Sequence, residues 1–237
     1  MVNQYQNGKE VFKLYGLKEE TLARACEQVS KISGEKVKMT FTLENEDACV
    51  VIEKTGADDK LFDETLKSVI KTFSSFIYAN REVSLAQNAV DLLKVSGRKL
   101  CVAESFTGGA VANSIVQIPG ASEVFYEGIV CYDTNSKIRR LGVNPLTVKA
   151  HTVVSREVAL EMVQGLLEDG NCDIAIATTG YASPTGDPSK PAGLCYIAVA
   201  NEQKAEIIRC NFSGTREQII ESGKRTALFS LNRILRG

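Results

Sequence analysis

The chain has 237 residues, 44% hydrophobic and 24% charged, the balance of a globular protein with room for one large or two modest domains. A net charge of −1 supplies no basic field for a nucleic acid or a membrane surface, and apolar runs such as "LCYIAVA" are far too short to cross a bilayer. The seven cysteines contain no C-x-x-C pair; Cys49, Cys101, Cys131, Cys195 and Cys210 lie in apolar runs, the pattern of reduced core thiols in a cytoplasmic protein.

The first residues, "MVNQYQNGKE", carry no apolar stretch of a signal peptide, so export is not expected. "EVFKLYG" reads as a strand ended by Gly16. "KEETLARACEQVSKIS" has helical spacing at Leu22, Ala25, Val29 and Ile32, with Gly34 closing it. "KVKMTFTL" and "ACVVIEK" read as a hairpin around "ENED". In residues 59–78 the stripe Leu61, Leu66, Val69, Ile70, Phe73 and Ile77 predicts one helix. This order predicts a small open sheet covered by helices over residues 1–80, with a boundary in "ANREV".

The remainder, residues 81–237, alternates helices and strands. A helix is expected at 84–95, then a strand into "VAESFTGG", a helix over about 107–118, and the strand "FYEGIVCYD". Ser155 is placed to cap "REVALEMVQGLLED". "CDIAIATTG" reads as a buried strand, and "AGLCYIAVA" with "AEIIRCNF" as a hairpin. Thr215 and Gln218 have capping-box spacing at the start of the last helix. The fold class is α/β: a three-layer α/β/α domain with a mixed sheet, preceded by a small α+β domain.

Three segments can carry chemistry. In "VAESFTGG", Ser105 stands at a strand end before Gly108 and Gly109. There it is either a helix cap or a nucleophile facing backbone N–H groups that hold an anion or oxyanion. A nucleophilic serine needs a base. The chain has one histidine, His151, in a predicted loop; Lys137 in "CYDTNSKIRR" is the other candidate, with Arg139 and Arg140 near enough in sequence to lower its pKa. Lys190 is a further lysine in the loop "TTGYASPTGDPSKPAG", which follows a strand end where open α/β sheets place ligands.

Together, "VAESFTGG", "IPGASEVFYEGIVCYDTNSKIRRLGV", "HTVVSREVALEMVQG", "TTGYASPTGDPSKPAG" and "SGTREQ" resemble, in order and spacing, the CinA carboxy-terminal domain, over about residues 84–236. Members of that family include nicotinamide-nucleotide amidases. The resemblance implies an amidase that converts nicotinamide mononucleotide to nicotinate mononucleotide and ammonia. It implies Ser105, Tyr132 and Lys137 as catalytic residues, with Tyr132 as relay or orienter. Glu104, Thr107, Gly108, Gly109, Thr179, Gly180 and Arg216 are the implied substrate contacts. It further implies no metal or cofactor, a homodimer, and a pyridine nucleotide as the small-molecule partner.

The sequence departs from the family pattern at Phe106, where cysteine is usual, and at Asp133-Thr134-Asn135-Ser136 between Tyr132 and Lys137. It departs again in Gly180-Tyr181-Ala182-Ser183-Pro184, where glycines are usual, and at Ile220 in place of a second arginine. A nucleotide-binding or regulatory protein of weak activity, or a partner of a separate CinA amino-terminal domain, are the alternative readings. Residues 1–80 resemble the KH-type domain that precedes this module in full-length CinA proteins. They hold no G-x-x-G loop, so a packing or interdomain role is expected rather than RNA binding.

Overall fold

The computed structural model describes residues 8–168 and 170–236, which divide into two compact units between Ser84 and Leu85. The first unit runs β1 (Lys9–Tyr15), α1 (Glu19–Ser33), β2 (Val37–Glu44), β3 (Asp47–Lys54), α2 (Asp59–Phe73) and β4 (Ile77–Ala79). Its sheet has the order β2-β3-β1-β4 and every pairing is antiparallel. Asn45 and Glu46, both at positive φ, form the two-residue turn between β2 and β3, where Glu44 opposes Asp47. Leu14, Leu22, Val50, Ile52, Phe62 and Leu66 belong to the core of this unit.

The helix predicted to reach residue 78 stops at Phe73. Ile77, Tyr78 and Ala79 instead form β4 against β1, which gives that strand a second hydrogen-bonded neighbour. The inward stripe of α2 is therefore Phe62, Thr65, Leu66, Val69 and Phe73, while Ile70 is exposed.

The second unit runs α3 (Leu85–Ser96), β5 (Leu100–Glu104), α4 (Ala110–Val116), β6 (Phe125–Val130), α5 (Thr134–Leu141), α6 (Pro145–His151) and α7 (Arg156–Glu168). It continues through β7 (Ile174–Gly180), β8 (Leu194–Asn201), β9 (Ala205–Asn211) and α8 (Arg216–Arg236). The sheet order is β6-β5-β7-β8-β9; β6, β5 and β7 are parallel, and β8 and β9 join antiparallel. Helices α3, α4 and α8 form one layer and α5, α6 and α7 the other, which makes the predicted three-layer α/β/α domain with a mixed sheet.

Ala103, Ala175, Ala177 and Ala198 share a core cluster with Val158, Met162 and Val163, so small sheet residues let α7 lie close. Both predicted helix caps form. Ser155 Oγ accepts the Val158 N–H at 3.3 Å, and the Thr215 N–H donates to Gln218 Oε1 at 2.8 Å.

Two local expectations change. The helix predicted from residue 107 begins at Ala110, because Gly108 and Gly109 take positive φ values of 61° and 101° and build a tight turn instead. The loop predicted around His151 is the short helix α6, started by Asn144, whose side chain accepts the Leu146 N–H, and by Pro145 in the first turn. Among the described residues, no helix is long and apolar enough to cross a membrane.

Candidate active site

At the ends of β5 and β7 the chain buries polar groups together: Glu104, Ser105, Thr107, Lys137, Thr178 and Thr179. Such groups are tolerated in an interior only when hydrogen-bonded. Among the described residues no buried side-chain nitrogen or oxygen lacks a partner.

Glu104, 1% exposed, ends β5. Its carboxylate accepts the backbone N–H groups of Gly109 (2.9 Å), Val111 (3.1 Å) and Ala112 (2.8 Å). A helix N-terminus attracts negative charge, and here the chain supplies that charge itself. The Gly108 N–H donates to the Ser105 carbonyl at 3.1 Å. The Glu104 carboxylate and the Gly108 and Gly109 N–H groups thus close the turn through internal hydrogen bonds. The backbone N–H groups of Phe106 and Thr107 remain without a hydrogen-bond partner among the described residues. Thr107 uses its side chain internally, with Oγ1 2.6 Å from Thr178 Oγ1.

Lys137 enters from α5, whose N-cap Asp133 accepts the Asn135 N–H. The side chain is buried, and its Nζ lies 2.9 Å from Ser105 Oγ. Nζ also donates to the carbonyls of Cys131 (2.8 Å) and Tyr132 (3.1 Å). Burial pushes the Lys137 pKa below the usual lysine range, while Cys131 and Asp133 pull it back upward. Arg139 and Arg140 are exposed and have no part in that shift, so the expected cationic pressure is replaced by desolvation.

The Tyr132 side chain turns outward, 60% exposed. Its hydroxyl accepts a hydrogen bond from Arg216 Nη2 at 3.1 Å, and Arg216 Nη1 donates to Ser183 Oγ at 3.0 Å. The Ser105–Lys137 contact is direct, and the Tyr132 hydroxyl points away from it toward Arg216. Tyr132 contributes its carbonyl to Lys137 and its hydroxyl to Arg216. Among the described residues Arg216 makes no ion pair with a carboxylate.

Ser105, Lys137, Phe106, Thr179, Gly180 and Tyr181 are among the residues lining a cavity of about 180 Å³. Opposite faces of β7 hold it in place. Thr179 Oγ1 donates to the Val153 carbonyl at 2.9 Å, and Thr178 Oγ1 accepts the Ser105 N–H at 3.3 Å. Phe106 is seated against α8, where a Cβ on Gly223 would lie 2.4 Å from the ring, so glycine there makes room for the phenylalanine. Thr178 carries no sequence signal beyond its place beside Thr179 in the strand.

His151 lies outside the cavity lining, half exposed, with Nδ1 3.8 Å from Glu157. A serine–histidine pair is therefore not assembled. Lys190 pairs with Asp187 at 3.1 Å on the surface. Among the described residues no group of His, Cys, Asp or Glu is arranged to hold a metal ion.

A serine in hydrogen-bond contact with a buried lysine, at strand ends of a three-layer α/β/α sheet, defines an α/β protein with a serine–lysine site. The CinA C-terminal domain family model matches residues 82–235, and the chain belongs to the CinA family. A CinA-like protein of Kosmotoga olearia is 37% identical over 171 residues, covering 72% of this chain and 41% of that protein. A Clostridium kluyveri protein named for competence-damage induction is 33% identical over 236 residues, covering 96% of this chain and 57% of its own length. The chain thus spans about half the length of the curated relatives it matches. Among solved structures, a competence/damage inducible protein from Agrobacterium tumefaciens aligns with a TM-score of 0.62 and 32% identity, covering 65% of this chain and 94% of that one. A CinA superfamily protein from Klebsiella pneumoniae gives the same TM-score at 31% identity, over 64% and 96% of the two chains.

Proposed function

We propose that the chain is an amidase that hydrolyses the carboxamide of nicotinamide mononucleotide, with Ser105 as nucleophile and Lys137 as general base and acid. The observation that carries this reading is the 2.9 Å contact between Lys137 Nζ and Ser105 Oγ inside a buried site. As a neutral amine, Lys137 donates its two N–H groups to the carbonyls of Cys131 and Tyr132, which turns the lone pair toward Ser105.

Ser105 Oγ attacks the carboxamide carbon as its proton passes to Lys137 Nζ. The unpartnered N–H groups of Phe106 and Thr107 are the available donors for the oxyanion that forms. The tetrahedral species collapses, the C–N bond breaks, and the leaving nitrogen takes the proton from Lys137 and departs as ammonia. Water, activated by Lys137, then cleaves the acyl-serine and releases the carboxylate.

The cavity of about 180 Å³ is smaller than the roughly 300–1,000 Å³ of ordinary small-molecule pockets, which suits a ring carboxamide with the rest of the nucleotide outside. Arg216, which makes no ion pair with a carboxylate among the described residues, is the group suited to the phosphate.

The test is ammonia release from nicotinamide mononucleotide by the purified chain. Ser105→Ala should lower turnover by on the order of a million-fold, as loss of a serine nucleophile does, with thermal stability nearly unchanged. A variant that keeps parental turnover reduces Ser105 to a turn residue. Binding of the nucleotide with no ammonia from the parent chain would favour the regulatory alternative.

A further inference from the structure

The nucleophile is held from a direction that the serine–lysine contact does not explain. In a parallel sheet the residue after β5 would donate its next ladder bond to β7, and the Ser105 N–H does so, to the Thr178 carbonyl at 3.0 Å. The same N–H also reaches Thr178 Oγ1 at 3.3 Å. That hydroxyl is in turn 2.6 Å from Thr107 Oγ1, two residues beyond the nucleophile. Thr178 is fully buried and Thr107 is 2% exposed, so water does not compete for either hydroxyl. The turn carrying Ser105 is thus gripped at both ends by one side chain.

We propose that Thr178 is a positioning residue for the nucleophile: through its bonds to the Ser105 N–H and the Thr107 hydroxyl it fixes the turn that aims Ser105 Oγ at the amide. This inference rests on the serine amidase reading above. It adds a group that does not line the cavity and touches no reacting atom. Two neighbouring threonines then have separate tasks. Thr179 faces the cavity and holds the Val153 carbonyl in its wall; Thr178, on the opposite face of the strand, holds the nucleophile. On the far side of the turn, Thr107 Cγ2 and the Phe106 ring close on Gly223 of α8, so the segment is clamped between strand and helix. Small displacements matter here because the attacking oxygen must meet a carbon held elsewhere in the site.

The experiment uses the full chain and two readouts, ammonia release and the rate at which a fluorophosphonate probe labels Ser105. Thr178→Val keeps the β-branched shape and removes the hydroxyl. Turnover and labelling rate should both fall roughly tenfold to a hundredfold, with KM changed by less than about twofold. Thr178→Ser should restore most of both. Thr107→Val/Thr178→Val removes both hydroxyls, leaves no buried orphan and serves as the stability control; it should stay as slow as Thr178→Val. Unchanged turnover and labelling in Thr178→Val would overturn the inference, as would full recovery in the double variant or no rescue by serine. A parent chain that neither labels at Ser105 nor releases ammonia would instead remove the amidase reading, and this inference with it.

Discussion

The two units of this chain handle polar groups differently. In the first, the buried polar residues among those described are Ser33 and Thr65, and each hydroxyl is hydrogen-bonded to nearby backbone. Its charged residues form simple pairs, exposed in Lys9 with Glu53 and Lys54 with Asp59, and mostly buried in Lys13 with Asp47 at 2.7 Å. In the second, a carboxylate, an amine and four hydroxyls are buried together at the ends of β5 and β7 and in the segments that follow β5 and β6. Burying such groups opposes folding unless each finds a partner. The sheet that accepts this cost is the one that gains a lysine of lowered pKa beside a serine. The proposed chemistry falls where this sheet buries a lysine beside a serine.

Among changes that test this difference, removing the buried amine carries the largest expected effect. Lys137→Met should cost at least about a hundredfold in turnover, the lower range for loss of a general base, with little change in nucleotide affinity. The pH profile adds a sign. A lysine whose folded pKa lies below its unfolded value is increasingly neutral as pH rises through the folded pKa, so activity should climb along that limb. Stability follows the same direction. This group's contribution is complete above the unfolded lysine pKa and is lost as pH falls through the lowered folded one. Lys137→Met should abolish both dependences; a variant with the parental pH–rate profile would remove Lys137 from catalysis.

The first unit is tested by its core instead. Phe62→Ala should destabilise that unit by about 3–5 kcal/mol through lost burial and a residual cavity, read as faster amide exchange in β1 and β3. Parental exchange rates would show that Phe62 is not central to that core.

Glu104→Gln sharpens the contrast between holding and binding. The amide presents one oxygen and one N–H₂ group to three backbone donors, which should cost about 1–3 kcal/mol in unfolding free energy while KM stays near parental. A raised KM with unchanged stability would return Glu104 to the substrate.

The smallest effect belongs to the surface. Lys67→Ala, which breaks the exposed pair with Asp63, should change stability by no more than about 0.5 kcal/mol in a denaturant titration. A larger loss would mean that the first unit relies on its surface charges more than its burial pattern suggests.

The alternation of elements is legible in the sequence, because period-2 and period-3.6 patterns report a buried face locally. The sequence also marked the caps at Ser155 and Thr215, whose partners lie three residues away. It pointed to Ser105, Lys137 and Arg216 through resemblance. Tertiary structure alone decided what those residues touch. Glu104 and Ser105 are neighbours in sequence, yet one carboxylate satisfies α4 while the next hydroxyl meets a lysine 32 residues away. Tyr132 and Arg216 are brought together across 84 residues, and Thr178 grips a turn 73 residues earlier. Ile77 and Tyr78, within the predicted helix, lie instead in a strand because β1 had an open edge to pair. Such contacts depend on which strand ends the sheet order makes adjacent, and no local pattern of hydrophobicity encodes that order.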